Sequence, residues 1–214
     1  MNYYLSFIFC FLGLQIAASQ KSVYTHPNFE AYAPNHRIIA VLPFYVDLEL
    51  PNEPSEFLRR QFLEGEGLAV QQALAHYFES KSNSKNLSVL FQPLALTQKK
   101  LQLAGLDYRS IGQKSSRELA QILEVDALIS GNLSLTVLLS DGIDNDFNWV
   151  DLWILAPEFG RLAVKISDGE TGKLLWRYEK AIDRRSGKNT KELIEKLMKQ
   201  AARSFPYYKS DIGD

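Results

Sequence analysis

Short unbroken apolar runs alternate along this chain with longer stretches in which apolar residues recur every three or four positions. The two periods predict strands and helices in turn. Ile38-Ile-Ala-Val-Leu-Pro-Phe-Tyr-Val46 is an unbroken run, as in an inner strand covered on both faces. Pro43 removes a ladder donor from it, so full pairing is expected only before it, or a bulge at it. From Pro54 to Ser80, Phe57, Leu58, Phe62, Leu68, Ala69, Ala73, Tyr77 and Phe78 make one face of a long helix. Gly65 and Gly67 interrupt that helix at about 1 kcal/mol each relative to alanine, which predicts a kink or close packing there.

Leu87–Gln92 reads as a second strand, and Thr97 as the N-cap of a short helix through Leu103. Ser115-x-x-Glu118 is a capping box opening a helix over Ser116–Glu124, with Leu119, Ile122 and Leu123 inward. Asp126–Leu139 is a long strand. Its second half alternates Leu133, Leu135, Val137 and Leu139 against Asn132, Ser134 and Thr136. Gly160–Lys180 is a hairpin, with Leu162, Val164 and Ile166 on one arm and Leu174, Trp176 and Tyr178 on the other. Asp168-Gly-Glu-Thr-Gly172 makes its turn, with glycines where positive φ is expected. Thr190–Phe205 is a closing amphipathic helix. The order β-α-β-α-α-β-(insert)-β-β-α predicts an α/β fold (an α+β sandwich) with a mixed sheet and packed helices. The domain spans 38–206. Residues 20–37 are polar, hold Pro27 and Pro34, and read as an extended tether; 207–214 read as a loose polar tail.

The first nineteen residues change the picture of where this domain works. They are uncharged and mostly apolar, and they end in Ala17-Ala18-Ser19. This is the pattern of a secretory signal cleaved near Ser19-Gln20, which places the mature chain in the periplasm or outside the cell. Cleavage removes Cys10, the one cysteine in the chain. Disulfides, thiol catalysis and cysteine metal sites are then not expected. The formal net charge of −1 argues against a nucleic-acid footprint. His26, His36 and His76 are too scattered to suggest a metal centre.

Three segments carry a resemblance. Ile39-Ala-Val-Leu-Pro-Phe44, Leu119-Ala-Gln-Ile-Leu-Glu-Val-Asp-Ala-Leu-Ile-Ser-Gly131 and Ile166-Ser-Asp-Gly-Glu-Thr-Gly-Lys-Leu-Leu-Trp176 stand in that order. They resemble an envelope superfamily that includes the curli-secretion-channel subunits, the penicillin-binding-protein-activator lipoproteins and the amino-terminal domain of TolB. The resemblance runs from Ile38 to Phe205. It implies a bacterial, non-catalytic docking domain that binds other envelope proteins and serves an assembly or secretion machine. Ring-forming relatives make an oligomer compatible with it. The chain departs from the pattern at Cys10, where Phe9 stands in place of the small residue that lipidation requires. It departs again in an insert, Asp141–Phe159. It lacks the long alternating segments of transmembrane hairpins, so a pore is not expected.

The insert carries Asp141, Asp144, Asp146 and Asp151 among Phe147, Trp149 and Trp153. Its carboxylates do not match the spacing of a calcium loop. Aromatic residues are enriched in interface cores, so Phe147, Trp149, Asp151 and Trp153 are candidate partner contacts; alternatively Trp149 and Trp153 pack on the domain. No hydrolase elbow or Walker loop is present, and Glu64 with Glu66 reads as a solvated pair. The chain is expected to use no cofactor or metal and not to be an enzyme. The alternatives are a protein that binds a small ligand or cell-wall glycan, and an enzyme of unrecognised type.

Overall fold

The computed structural model describes residues 21–50, 54–82, 87–136, 158–183, 189–201 and 204–208. The segment read as a secretory signal, with Cys10, the insert through residue 157 and residues 209–214 lie outside them. β1 (Lys21–Thr25), α1 (Phe29–Tyr32) and a 3-10 turn at Ala33–Asn35 lead into β2 (Ile38–Val41) and β3 (Tyr45–Leu48). Next come α2 (Glu56–Ser82), β4 (Leu90–Phe91), α3 (Leu94–Leu103), α4 (Tyr108–Ile111) and α5 (Ser116–Leu123). The order closes with β5 (Ala127–Leu135), β6 (Glu158–Asp168), β7 (Leu174–Asp183) and α6 (Thr190–Ala201). The strands form a seven-stranded sheet in the order β1-β7-β6-β5-β2-β4, with β3 also paired to β5. β2 is parallel to both β4 and β5, whereas β5, β6, β7 and β1 pair antiparallel. The chain is thus α/β with a mixed sheet, as its element order predicts.

β2 explains why the run at 38–42 is unbroken. Ile39 and Val41 enter one core with Val70, Leu74 and Phe78 of α2 and Leu193, Leu197 and Met198 of α6. Ala40 and Leu42 enter a second core on the opposite face, with Leu101, Ile111, Leu119 and Leu123 of α3–α5. Each large aliphatic side chain sealed this way contributes about 1.5–3 kcal/mol over leaving it exposed. Further along β5, among the described residues, the strand no longer meets both cores. Leu133 and Leu135 stay buried while Asn132 and Ser134 are exposed, as the alternation predicts.

The segment read as an extended tether is part of the fold. Lys21–Thr25 pairs with β7 through five residues, and Phe29 is buried in the larger core. All five β1 side chains are exposed, so the strand is held by its backbone ladder and leaves no burial period in the sequence. Pro27 follows the strand, and Pro34 sits at the start of a 3-10 turn where its missing N–H costs nothing.

The apolar face of α2 is shorter than its spacing suggests. Phe57 and Leu58 are exposed because the first turns of α2 overhang a break in the sheet. Glu66 is fully buried, unlike Glu64 and contrary to the solvated reading of the pair, because it stands beside Gly67 where α2 closes on that break. The strand read at Leu87–Gln92 shrinks to Leu90–Phe91 plus a bridge from Leu87 to Tyr208. Thr97 is inside α3 rather than capping it: the helix starts after Pro93, and the buried Thr97 hydroxyl donates to Gln92 Oε1 at 2.9 Å. In the hairpin turn only Gly172 takes positive φ, +73°. Gly169 instead lies where a Cβ would fall 2.7 Å from Asp126 O. Leu174 is exposed, and a bulge brings Leu175 into the core beside Trp176. The start of the expected loose tail is fixed: Tyr207 is buried and Tyr208 pairs with Leu87.

The two α2 glycines predict opposite outcomes. A Cβ at Gly65 meets nothing within 4 Å, so Gly65→Ala is expected to stabilise by up to about 1 kcal/mol through helix propensity. At Gly67 it would lie 2.4 Å from Phe44 O and 2.7 Å from a Tyr108 ring carbon, so Gly67→Ala is expected to destabilise by about 1–3 kcal/mol. Urea denaturation of both variants checks the signs.

Candidate functional site

The site begins with Pro43. Without an N–H it cannot continue the ladder, and β2 stops at Val41. β3 resumes pairing with β5 out of step: Val41 faces Ile129, but Tyr45 faces Asn132, so three residues bulge against two. The break leaves backbone groups that need partners. Val41 O accepts from Gln71 Nε2 at 2.8 Å, Phe44 N donates to Gly67 O at 3.2 Å, and Phe44 O accepts from the Tyr108 hydroxyl at 2.8 Å. α2 and α4 are thereby pinned to the same short segment.

β2 connects to β4 through α2 on one face of the sheet, and β4 connects to β5 through α3–α5 on the other. The two connections diverge at the carboxyl end of β2, and crevices in open α/β sheets form at such switch points. Here the gap is a cleft of about 860 Å³. Leu42–Val46 and Ser130–Gly131 make its floor; Phe57, Arg60 and Glu64 of α2 and Tyr108, Arg109 and Lys114 of the α4 region make its walls. Tyr45 and Phe57 are 64% and 61% exposed at its rim.

The local order of the α4 wall comes from two capping boxes. Asp107 and Ser110 cap α4 reciprocally, and Ser115 and Glu118 cap α5. Hydrogen bonds from the Ser110 hydroxyl and backbone hold the Asp107 carboxyl below its ordinary range. Ser115 and then Lys114 hold Glu118 at about 2. Burial raises the Tyr108 hydroxyl to about 12. Asp107 is therefore a fixed anion and Tyr108 a fixed neutral donor near pH 7, and neither is poised to exchange protons there. The arrangement suits binding.

A second polar set lies at the other end of the parallel strands. His36 Nε2 contacts Asp168 Oδ1 at 2.9 Å, and His36 Nδ1 contacts the Tyr207 hydroxyl at 2.5 Å. Thr171 donates its backbone N–H and its hydroxyl to Asp168 Oδ2. Burial raises the Asp168 carboxyl, but the Thr171 and His36 bonds outweigh that and hold it below its usual range. Burial, then the nearby carboxylates, push the Tyr207 hydroxyl well above its ordinary value, so it is not an activated nucleophile. His36, Asp168 and Tyr207 are buried, while Thr171 caps the set from the exposed hairpin turn. It joins three segments remote in sequence, which is why motif spacing missed it.

The candidate contacts Phe147, Trp149, Asp151 and Trp153 lie outside the described residues, as does most of the insert; its last residues, 158–159, begin β6. Among the described residues no group of three His, Cys, Asp or Glu is placed to hold a metal, and no helix is long and apolar enough to cross a membrane.

No protein-family model and no curated protein sequence matches this chain. Solved structures do resemble it. The lipoprotein GNA1162 from Neisseria meningitidis is 15% identical, with a TM-score of 0.43, covering 78% of this chain and 99% of its own. The LpoB C-terminal domain from Salmonella enterica is 12% identical, with a TM-score of 0.35, covering 70% and 84%. A PelC dodecamer from Paraburkholderia phytofirmans is 12% identical, with a TM-score of 0.37, covering 84% and 97%.

Two measurements check the site. Tyr108→Phe is expected to cost about 1 kcal/mol by orphaning Phe44 O. Because folding raises this hydroxyl, its contribution is present below pH 10 and fades as pH rises through about 12; an ultraviolet titration of the variant should lack one ionisation near 12. Asp168→Asn is expected to cost about 2 kcal/mol at pH 7. A lowered carboxyl contributes above its ordinary value of 3.8 and loses that contribution as pH falls below it, so urea midpoints of wild type and variant should converge only in acid.

Proposed function

We propose that this chain is a non-catalytic module of the bacterial cell envelope that binds a partner protein in the cleft at the carboxyl end of β2. The observation that carries this reading is the pair of exposed aromatic side chains, Tyr45 and Phe57, at the rim of an open 860 Å³ crevice. Large aromatic rings held in water serve no core, and such rings are enriched where protein surfaces meet. The signal-like leader and the motif resemblance support the envelope placement. The insert belongs to the same reading: it follows in sequence after β5, whose Ser130 and Gly131 floor the cleft, and Phe147, Trp149, Asp151 and Trp153 supply further contacts. A second reading, a small ligand or cell-wall glycan, is favoured by the cleft volume, which falls within the range of about 300–1,000 Å³ typical of ligand pockets.

Site-specific photo-cross-linking in cells separates the two. With the photoreactive residue at Tyr45, Phe57 or Trp149, one discrete protein adduct is expected at all three positions, and none at exposed Leu103 on α3. Absence of adducts at Tyr45 and Phe57, together with a rise in melting temperature on adding muropeptides, would replace the protein partner with the small ligand.

A further inference from the structure

One face of β5, β6 and β7, on which no helix packs among the described residues, carries a charge arrangement that folding alone does not favour. Lys165 on β6 stands directly opposite Arg177 on β7. Both point away from the main core, because their neighbours Val164, Ile166, Trp176 and Tyr178 are buried in it. Like charges facing across a strand pair are destabilising. Glu179 is the carboxylate in their midst, and it is shared: Arg161 Nη1 donates to it at 3.1 Å, and Arg177 Nη2 donates to its other oxygen. Lys165 Nζ donates to a neutral acceptor, Asn132 Oδ1, at 2.7 Å. Burial, and then the Arg177 charge, hold the Lys165 ammonium below its ordinary value, against the opposite pull of Glu179.

This patch is continuous with the cleft. Ser130, which lines the cleft, faces Lys165 across β5 and β6. At the other side Tyr24 of β1 faces Arg177 and is 42% exposed. The row Tyr24–Arg177–Lys165–Ser130 therefore leads from the sheet edge to the cleft floor.

The geometry points to an acidic peptide segment of the partner, lying from the cleft across β5, β6 and β7 against Lys165, Arg177 and Arg161. The inference rests on the protein-binding reading above and names the chemistry of the partner. Guanidinium forks match carboxylates in two-point contacts. Carboxylates brought to this row relieve the repulsion between Lys165 and Arg177, so binding is favoured by the same pair that costs stability without it.

Fluorescence anisotropy on the purified chain tests this with a labelled glutamate-rich peptide, a lysine-rich counterpart and dextran sulfate. The glutamate-rich peptide is expected to bind, less tightly as salt rises, and the lysine-rich one not to bind. Lys165→Gln/Arg177→Gln is expected to weaken binding by about tenfold or more, with a melting temperature equal to or above that of wild type. Lys165→Gln alone should weaken it in the same direction. Equal binding by the variants, or binding of dextran sulfate without the peptide, overturns the inference. So does a concentration-dependent mass of the wild type that the double variant loses, since a second copy then occupies the face. If cross-links at Tyr45 and Phe57 persist while peptide binding ignores both substitutions, only the acidic chemistry falls; without those cross-links the protein-binding reading falls with it.

Discussion

The structure depends on how the chain repairs the break that Pro43 makes in its central strand. A buried backbone group left without a partner costs about 1–3 kcal/mol, and the break orphans three. Gln71, Gly67 and Tyr108 satisfy them, and each does so from a different constraint. Gln71 must be fully buried, Gly67 must have no side chain, and Tyr108 must reach in from the opposite layer. The helices that flank the cleft are therefore set by backbone hydrogen bonding at the break. The cleft follows from the same event, because β3 resumes pairing out of step and the two crossovers part on either side of it. A strand without proline here would keep its ladder with β5 and leave α2 and α4 no common anchor.

The amino end of β2 is fixed by carboxylates. Asp126 Oδ2 accepts from Arg37 N and Ile38 N, both at 2.8 Å, which holds the entry to β2. Asp168 draws in His36, and His36 draws in Tyr207, so the first turn, the hairpin and the end of α6 meet at one buried imidazole. Phe29, Tyr207, Phe205 and Trp176 pack edge to face around it. The described part of the chain has no cysteine, and these remote ties join segments far apart in sequence without a covalent link.

Much of this was legible in the sequence where one face of an element is buried. The β5 alternation, the Ser115–Glu118 cap and the interruption at Pro43 each leave a local signature, because the competing conformations are excluded within a few residues. β1 left none, since its ladder with β7 needs backbone alone and its side chains stay in water. Glu66, read as solvated, and Thr97, read as a cap, misled for a different reason: the place of a polar helical residue is decided by the second element brought against it. The cleft was invisible in the same way. Its rim residues Phe57 and Tyr45 sit in patterns that also describe core, and only the end of the sheet beneath them decides which they are. The Asp107–Ser110 cap of α4 was readable from its residue types and was missed because α4 is a single turn.

The two halves of the sheet divide the work between stability and recognition. Around β2 and the start of β5 both faces are sealed, and the side chains there are chosen for volume. Past Ile129, Ser130, Asn132 and Ser134 on one face of β5 are half-buried or exposed and belong to neither core. On such a face a like-charge pair such as Lys165 and Arg177 is the costly choice, because threonine or glutamine at either position keeps the strand without the repulsion. The buried face of β6 and β7 tolerates that cost because Val164, Ile166, Trp176 and Tyr178 contribute far more than the pair removes. The open half can therefore carry charge that folding does not need, beside a cleft whose shape folding cannot avoid.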